Sequence, residues 1–174
     1  MIKKITILLL LGSMHTAYAE DTTQAFSLCT AVSHLEQRLH DTPCAPDLLM
    51  TMGEMAQKIE ITRKVFQNDP LYKEACHLKI VKSDNFGDFP TYSGYHYQQI
   101  LDRYPHSPLV DDAAYALIYV ITEERYNFSD TRNEKKKLQN FINLYPKSNK
   151  VSEARARILE IEEQLKSGQS PILD

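Results

Sequence analysis

A short turn pattern returns three times along this chain, and it limits the possible folds more than any other feature. At Arg103-Tyr104-Pro105-His106-Ser107-Pro108 an incoming helix must stop, because Pro105 disfavours the α conformation at Tyr104 and has no backbone donor. A second helix is expected to start almost at once. Ser107 suits an N-cap, Pro108 suits a first helical position, and Asp111 and Asp112 bring negative charge to the positive helix end. So short a connection sets the two helices antiparallel. The same order of residues returns at Phe66-Gln67-Asn68-Asp69-Pro70 and at Tyr145-Pro146-Lys147-Ser148. In each copy an aromatic closes the first helix, an Asp or Ser follows three residues later, and an alanine (Ala75, Ala113, Ala154) stands six residues beyond it. The aromatics lie 38 and 41 residues apart, near the period of helical-hairpin repeats.

The N-terminus has to be set aside before the fold is read. Lys3 and Lys4 precede the apolar run Ile5 to Leu11, and Ala17-Tyr18-Ala19 offers small residues for cleavage, so residues 1–19 read as a secretory signal peptide. The apolar run is shorter than the ~20 residues of a membrane span, and no cysteine stands directly after the cleavage site, so neither a membrane span nor a lipid anchor is expected. From Glu20 onward the chain carries 18 basic and 23 acidic residues, a formal charge of −5. That balance argues against a nucleic-acid partner. Few glycines and few alternating β-branched runs predict an all-α fold for a single domain over residues 20–168, followed by a disordered tail, 169–174.

Along that domain, Phe26, Cys29, Val32, Leu35 and Leu39 recur at helical spacing and predict an amphipathic first helix. A second helix is expected from Pro46 to about Phe66, with Met50, Met52 and Met55 as adaptable core packing. A third should run from Pro70 to about Lys82, and a fourth from about Pro90 or Thr91 to Arg103. Between them, residues 83–94 hold two glycines, a proline and several turn formers, which predicts a loop bearing Phe86, Phe89 and Tyr92. The apolar run Ala113 to Ile121 must be enclosed by other helices. Thr131-Arg132-Asn133-Glu134 has the spacing of a capping box, and Lys135 to Lys137 read as a solvated face. In the last helix Val151, Ala154, Ile158, Ile161 and Leu165 make one apolar face. The sum is a superhelical array of about three antiparallel hairpins with an extra N-terminal helix.

The Tyr-Pro-x-Ser tip followed by alanine, at Tyr104 to Ala113 and Tyr145 to Ala154, resembles the tetratricopeptide-like repeats of bacterial envelope proteins. It is similar in particular to the BamD-like outer-membrane assembly lipoproteins and to the periplasmic repeat domain of the Tol-Pal coordinator protein. The resemblance covers about Ala56 to Leu165. It implies a periplasmic, non-enzymatic scaffold that holds another envelope protein or a peptide on a concave surface lined by the first helix of each hairpin. Helix four would then be the middle lining helix, which makes Tyr92, Tyr95, Tyr97 and Gln98 a candidate docking patch with Arg103 at its rim. Plugging the junction between hairpins is the competing role for the loop aromatics. Two other functions compete: a secreted effector or inhibitor of a host or competitor protein, and an envelope enzyme or metal carrier.

Catalytic motifs are not found. The chain has no glycine-rich phosphate loop, no nucleophile elbow, no His-Glu-x-x-His and no Cys-x-x-Cys, so no catalytic residue, cofactor or metal is expected. Cys76 and His77 are adjacent and point to different sides of a helix, and His34, His40, His96 and His106 read as surface residues. Three cysteines in an exported chain leave one thiol over. On the predicted layout Cys29 lies ~16 Å from the turn that holds Cys44, too far for a bridge, whereas helices one and three run parallel and bring Cys29 level with Cys76. The expected disulfide is Cys29 with Cys76.

Overall fold

A buried stripe on the first helix orients the rest of the chain. A computed structural model of the chain describes residues 23–39, 45–83, 87–120, 125–126 and 131–167. The expected signal peptide (1–19), the tail (169–174), His40, Cys44 and Phe86 lie outside those residues. Helix α1 (23–39) buries Ala25, Cys29 and Val32, at intervals of four and three, so the next position of the same stripe is Glu36. Phe26, expected on the inner face, is 49% exposed because it sits one position off that stripe. Helix α2 (Ala45–Gln57) then packs Leu49, Met52 and Ala56 into the core, with Met50 and Met55 lying half-buried against it.

Two expected helices are shorter than their sequences suggest. The second stops at Gln57: Lys58 and Ile59 donate to the carbonyls of Met55 and Ala56, tightening the last turn, and Thr62 caps a separate α3 (Arg63–Asn68). The third is a single turn, α4 (Leu71–Glu74), after which the chain leaves the helix at Ala75 and Cys76, and His77 takes a left-handed backbone, φ 50°. From Leu78 the chain is extended. β1 (Leu78–Ser83) pairs antiparallel with β2 (Phe89–Tyr92), matching Leu78 with Tyr92 and Val81 with Phe89, and pairs in parallel with β3 (Arg125–Tyr126). The strand order is β2-β1-β3, which puts Pro90 on an edge strand, where its missing donor costs least. The all-α expectation is therefore corrected to a mainly helical fold with a small sheet, and residues 89–92 are strand where a loop running into the start of a helix was expected.

Beyond the sheet the helices match the turn pattern closely. α5 (Tyr95–Arg103) and α6 (Val110–Ile118) pack on each other, as do α7 (Thr131–Leu144) and α8 (Val151–Ser167). Their two turns match bond for bond. Ser107 and Ser148 donate backbone N–H to the carbonyls of Tyr104 and Tyr145, and their hydroxyls accept from Leu109 and Lys150. The Asp69 carboxylate accepts from Leu71 in the same way. Each side chain thus fixes the turn ahead of its helix, and the helices start later than a direct cap at these residues would place them.

α6 stands between two apolar cores. Ala113 and, past its end, Val120 belong to a large core with α1, α2, α5 and the sheet. Tyr115 belongs to a smaller one built from Leu138, Phe141, Ala154 and Ile161 of α7 and α8. That two-sided burial accounts for most of the apolar run read from the sequence, but Tyr119, expected to be enclosed, is 43% exposed, and Ile121 lies outside the described residues. No helix among the described residues is long and apolar enough to cross a membrane.

Candidate functional site

Three segments meet where the α1 stripe reaches Glu36. His77, one residue past the disulfide, directs Nε2 to Glu36 Oε1 at 2.8 Å, and His96 from the first turn of α5 directs its Nε2 to the same oxygen at 3.2 Å. His96 is fully buried, while the His77 and Glu36 side chains are about a quarter exposed, so the group opens to solvent on one side. The expectation of a surface His96 is corrected. Gly94 at φ 84° turns the chain from β2 into α5 and sends the residue two positions on into the core.

The surroundings hold both rings in place. Tyr92 Oη accepts the backbone N–H of His96 at 2.8 Å and lies 3.0 Å from His96 Nδ1. Tyr95 stacks on the His77 ring, centroids 3.7 Å apart and 20° between planes. Burial disfavours a charged imidazole and pushes the His96 pKa down. Burial alone would raise the Glu36 carboxyl, but the hydrogen bonds and charge of His77 and His96 outweigh it and hold its pKa at about 2. The site thus joins a carboxylate to a buried imidazole and a second, more accessible one.

The Cys29–Cys76 disulfide is present, with Cα atoms 5.6 Å apart. Cys29 lies two helical turns before Glu36 on the same face of α1, and Cys76 directly precedes His77. One covalent link therefore sets the spacing of two of the three site residues. Cys76 and His77 lie past the end of α4 and not within a helix as expected; the sulfur goes to Cys29 on the buried stripe of α1 and the ring to Glu36.

The docking patch read from the sequence divides. Tyr92 and Tyr97 are core residues, 3% and 1% exposed, and do not present their rings to a partner. Tyr92 faces inward because it is the last strand residue and its hydroxyl satisfies the α5 N-terminus. Tyr97 lies against Gly53 of α2 and reaches Gln57 with its hydroxyl at 3.1 Å. Tyr95, Gln98 and Arg103 are exposed on the outer side of α5, where Gln98 donates to Asp102 at 2.8 Å. Arg103 borders a groove of about 330 Å³ between Pro46 and Asp47 of α2 and the turn from Tyr104 to Leu109.

The Glu36, His77 and His96 group escaped sequence reading because its members are 41 and 19 residues apart and obey no motif spacing. One signal was available, an acid continuing the apolar stripe of the first helix. No protein-family model matches the chain, and neither the curated proteins nor the solved structures that were compared include a match.

Proposed function

We propose that this protein is an exported, non-enzymatic binding module of the cell envelope that holds a protein or peptide against its helical array. The observation that carries this reading is the order of helix contacts: α2 on α5, α5 on α6, α6 on α7 and α7 on α8. From α5 to α8 each helix packs on the next, although α2 reaches α5 past α3 and α4; such consecutive stacking is the organisation of repeat proteins, whose extended surfaces serve recognition. The matching turns at Ser107 and Ser148 support a tetratricopeptide-like relationship to envelope scaffolds of the BamD type. Export is supported by the basic and apolar leader of the sequence and by a disulfide inside the core, which suits an oxidising compartment.

The docking surface in this reading is the outer stripe of α5, Tyr95 and Gln98, continuing through Arg103 into the groove beside its turn. Tyrosine and arginine are the residue types that most often carry interface energy. The test is affinity recovery from envelope extract with the wild type beside a Gln98→Ala, Arg103→Glu double variant. Both substitutions avoid the Glu36 cluster. A partner retained by the wild type and lost by at least about tenfold in the folded variant supports the reading. Equal recovery by both rejects this surface. Mass spectrometry of the exported form should show a chain starting at Glu20 without an acyl group.

A further inference from the structure

We infer that Glu36, His77 and His96 bind a divalent transition-metal ion of the zinc type, with the solvent-facing side left for a water or an external ligand. The three donor atoms all lie within 4.8 Å of one another, and both Nε2 atoms already face one carboxylate oxygen. Zinc–nitrogen and zinc–oxygen bonds of about 2.0–2.1 Å set tetrahedral ligand atoms roughly 3.4 Å apart. The two nitrogen–oxygen separations, 2.8 and 3.2 Å, need only a small expansion to admit an ion. Two imidazoles and a carboxylate suit zinc in hardness and charge, and the set leaves a fourth position open.

A purely structural role, in which two imidazoles simply hydrogen-bond one acid, accounts less well for the surroundings. His77 holds a left-handed backbone, φ 50°, a conformation that costs a non-glycine residue free energy and here serves to aim its ring at Glu36. The outer partners of a metal ligand are already in place. When an ion takes His96 Nε2, the Tyr92 hydroxyl is placed to accept a hydrogen bond from His96 Nδ1–H, and Tyr95 stacks on the His77 ring. The Cys29–Cys76 bond holds the two chain segments that supply Glu36 and His77.

The full exported chain, disulfide intact, is titrated with Zn²⁺ in a calorimeter and with Co²⁺ in a visible spectrometer. One ion per chain is expected, with cobalt bands of a four-coordinate site and a rise in Tm on Zn²⁺ addition. Glu36→Gln and His77→Asn each weaken Zn²⁺ binding by at least about tenfold, and Tyr92→Phe by about 10–100-fold. Asn at 77 tolerates the left-handed backbone, so that variant separates lost ligation from lost folding. His106→Asn, at an exposed turn, leaves binding unchanged. Absence of Zn²⁺ binding by the wild type overturns the inference, as does binding that persists unchanged in both Glu36→Gln and His77→Asn.

Discussion

Gly53 and Tyr97 meet at a point where no Cβ fits: a methyl group built on Gly53 would lie 2.4 Å from Cε1 of the Tyr97 ring. This contact sets how closely α2 approaches α5, and α5 in turn carries His96 and the exposed Tyr95. The ring has no room to retreat, being 1% exposed and tied by its hydroxyl to Gln57. Gly53→Ala should therefore destabilise the protein by about 1–3 kcal/mol, although alanine is the better helix former. Urea unfolding of the two proteins measures it, and equal midpoints would contradict the contact.

The three repeated alanines provide a second test. Ala75, Ala113 and Ala154 are all buried, and Ala113 is fully enclosed where α6 faces the larger core. Ala113→Leu should cost about 1–3 kcal/mol by overpacking. Ala156, exposed on α8, should accept leucine with little change. Melting curves of the two variants should separate by several degrees.

Removing the Cys29–Cys76 bond acts mainly on the unfolded chain, which it closes over a sequence separation of 47. The Cys29→Ala, Cys76→Ala variant should lose about 2–4 kcal/mol. It should also lose Zn²⁺ affinity, because Glu36 and His77 are then held only by packing. Denaturant unfolding and the zinc titration read the two effects separately.

α7 and α8 are joined by two cross-helix ion pairs. Arg157 grips Glu134 with two nitrogens at 2.8 and 3.2 Å, which raises the arginine pKa, and Lys135 meets Glu162 at 2.7 Å. Both pairs are partly exposed, so screening keeps their worth small. Arg157→Lys removes the two-nitrogen fork and should cost about 0.5–1 kcal/mol, less in high salt. Thermal melts at low and high ionic strength would show the difference shrinking.

The turns after Tyr104 and Tyr145 and the helices that follow them were legible in the sequence because each depends on local chemistry, whereas the helix expected after Asp69 is a single turn. Proline restricts the residue before it, and serine hydroxyls and the aspartate carboxylate bind nearby backbone. The Cys29–Cys76 pairing agrees with the expected one, although Cys76 lies past the end of α4 and not on a helix parallel to α1. β1 was not legible. Leu78 to Ser83 is short enough to be helix or strand, and the choice fell to the left-handed turn at His77 and to the partner strand at Phe89–Tyr92. The Ile80-Val81 pair ahead of the Asn85-Phe86-Gly87-Asp88 stretch was the available hint.

The Glu36, His77 and His96 group belongs wholly to the tertiary structure. Helical periodicity alone puts Glu36 on the inner stripe of α1, but only the packing of α5 and the sheet against that stripe brings two imidazoles to its carboxylate. The same packing turned Tyr92 and Tyr97 from candidate surface residues into core. A sequence shows which residues share a face of one element; which faces meet depends on burial summed over all of them, and no single segment carries that sum.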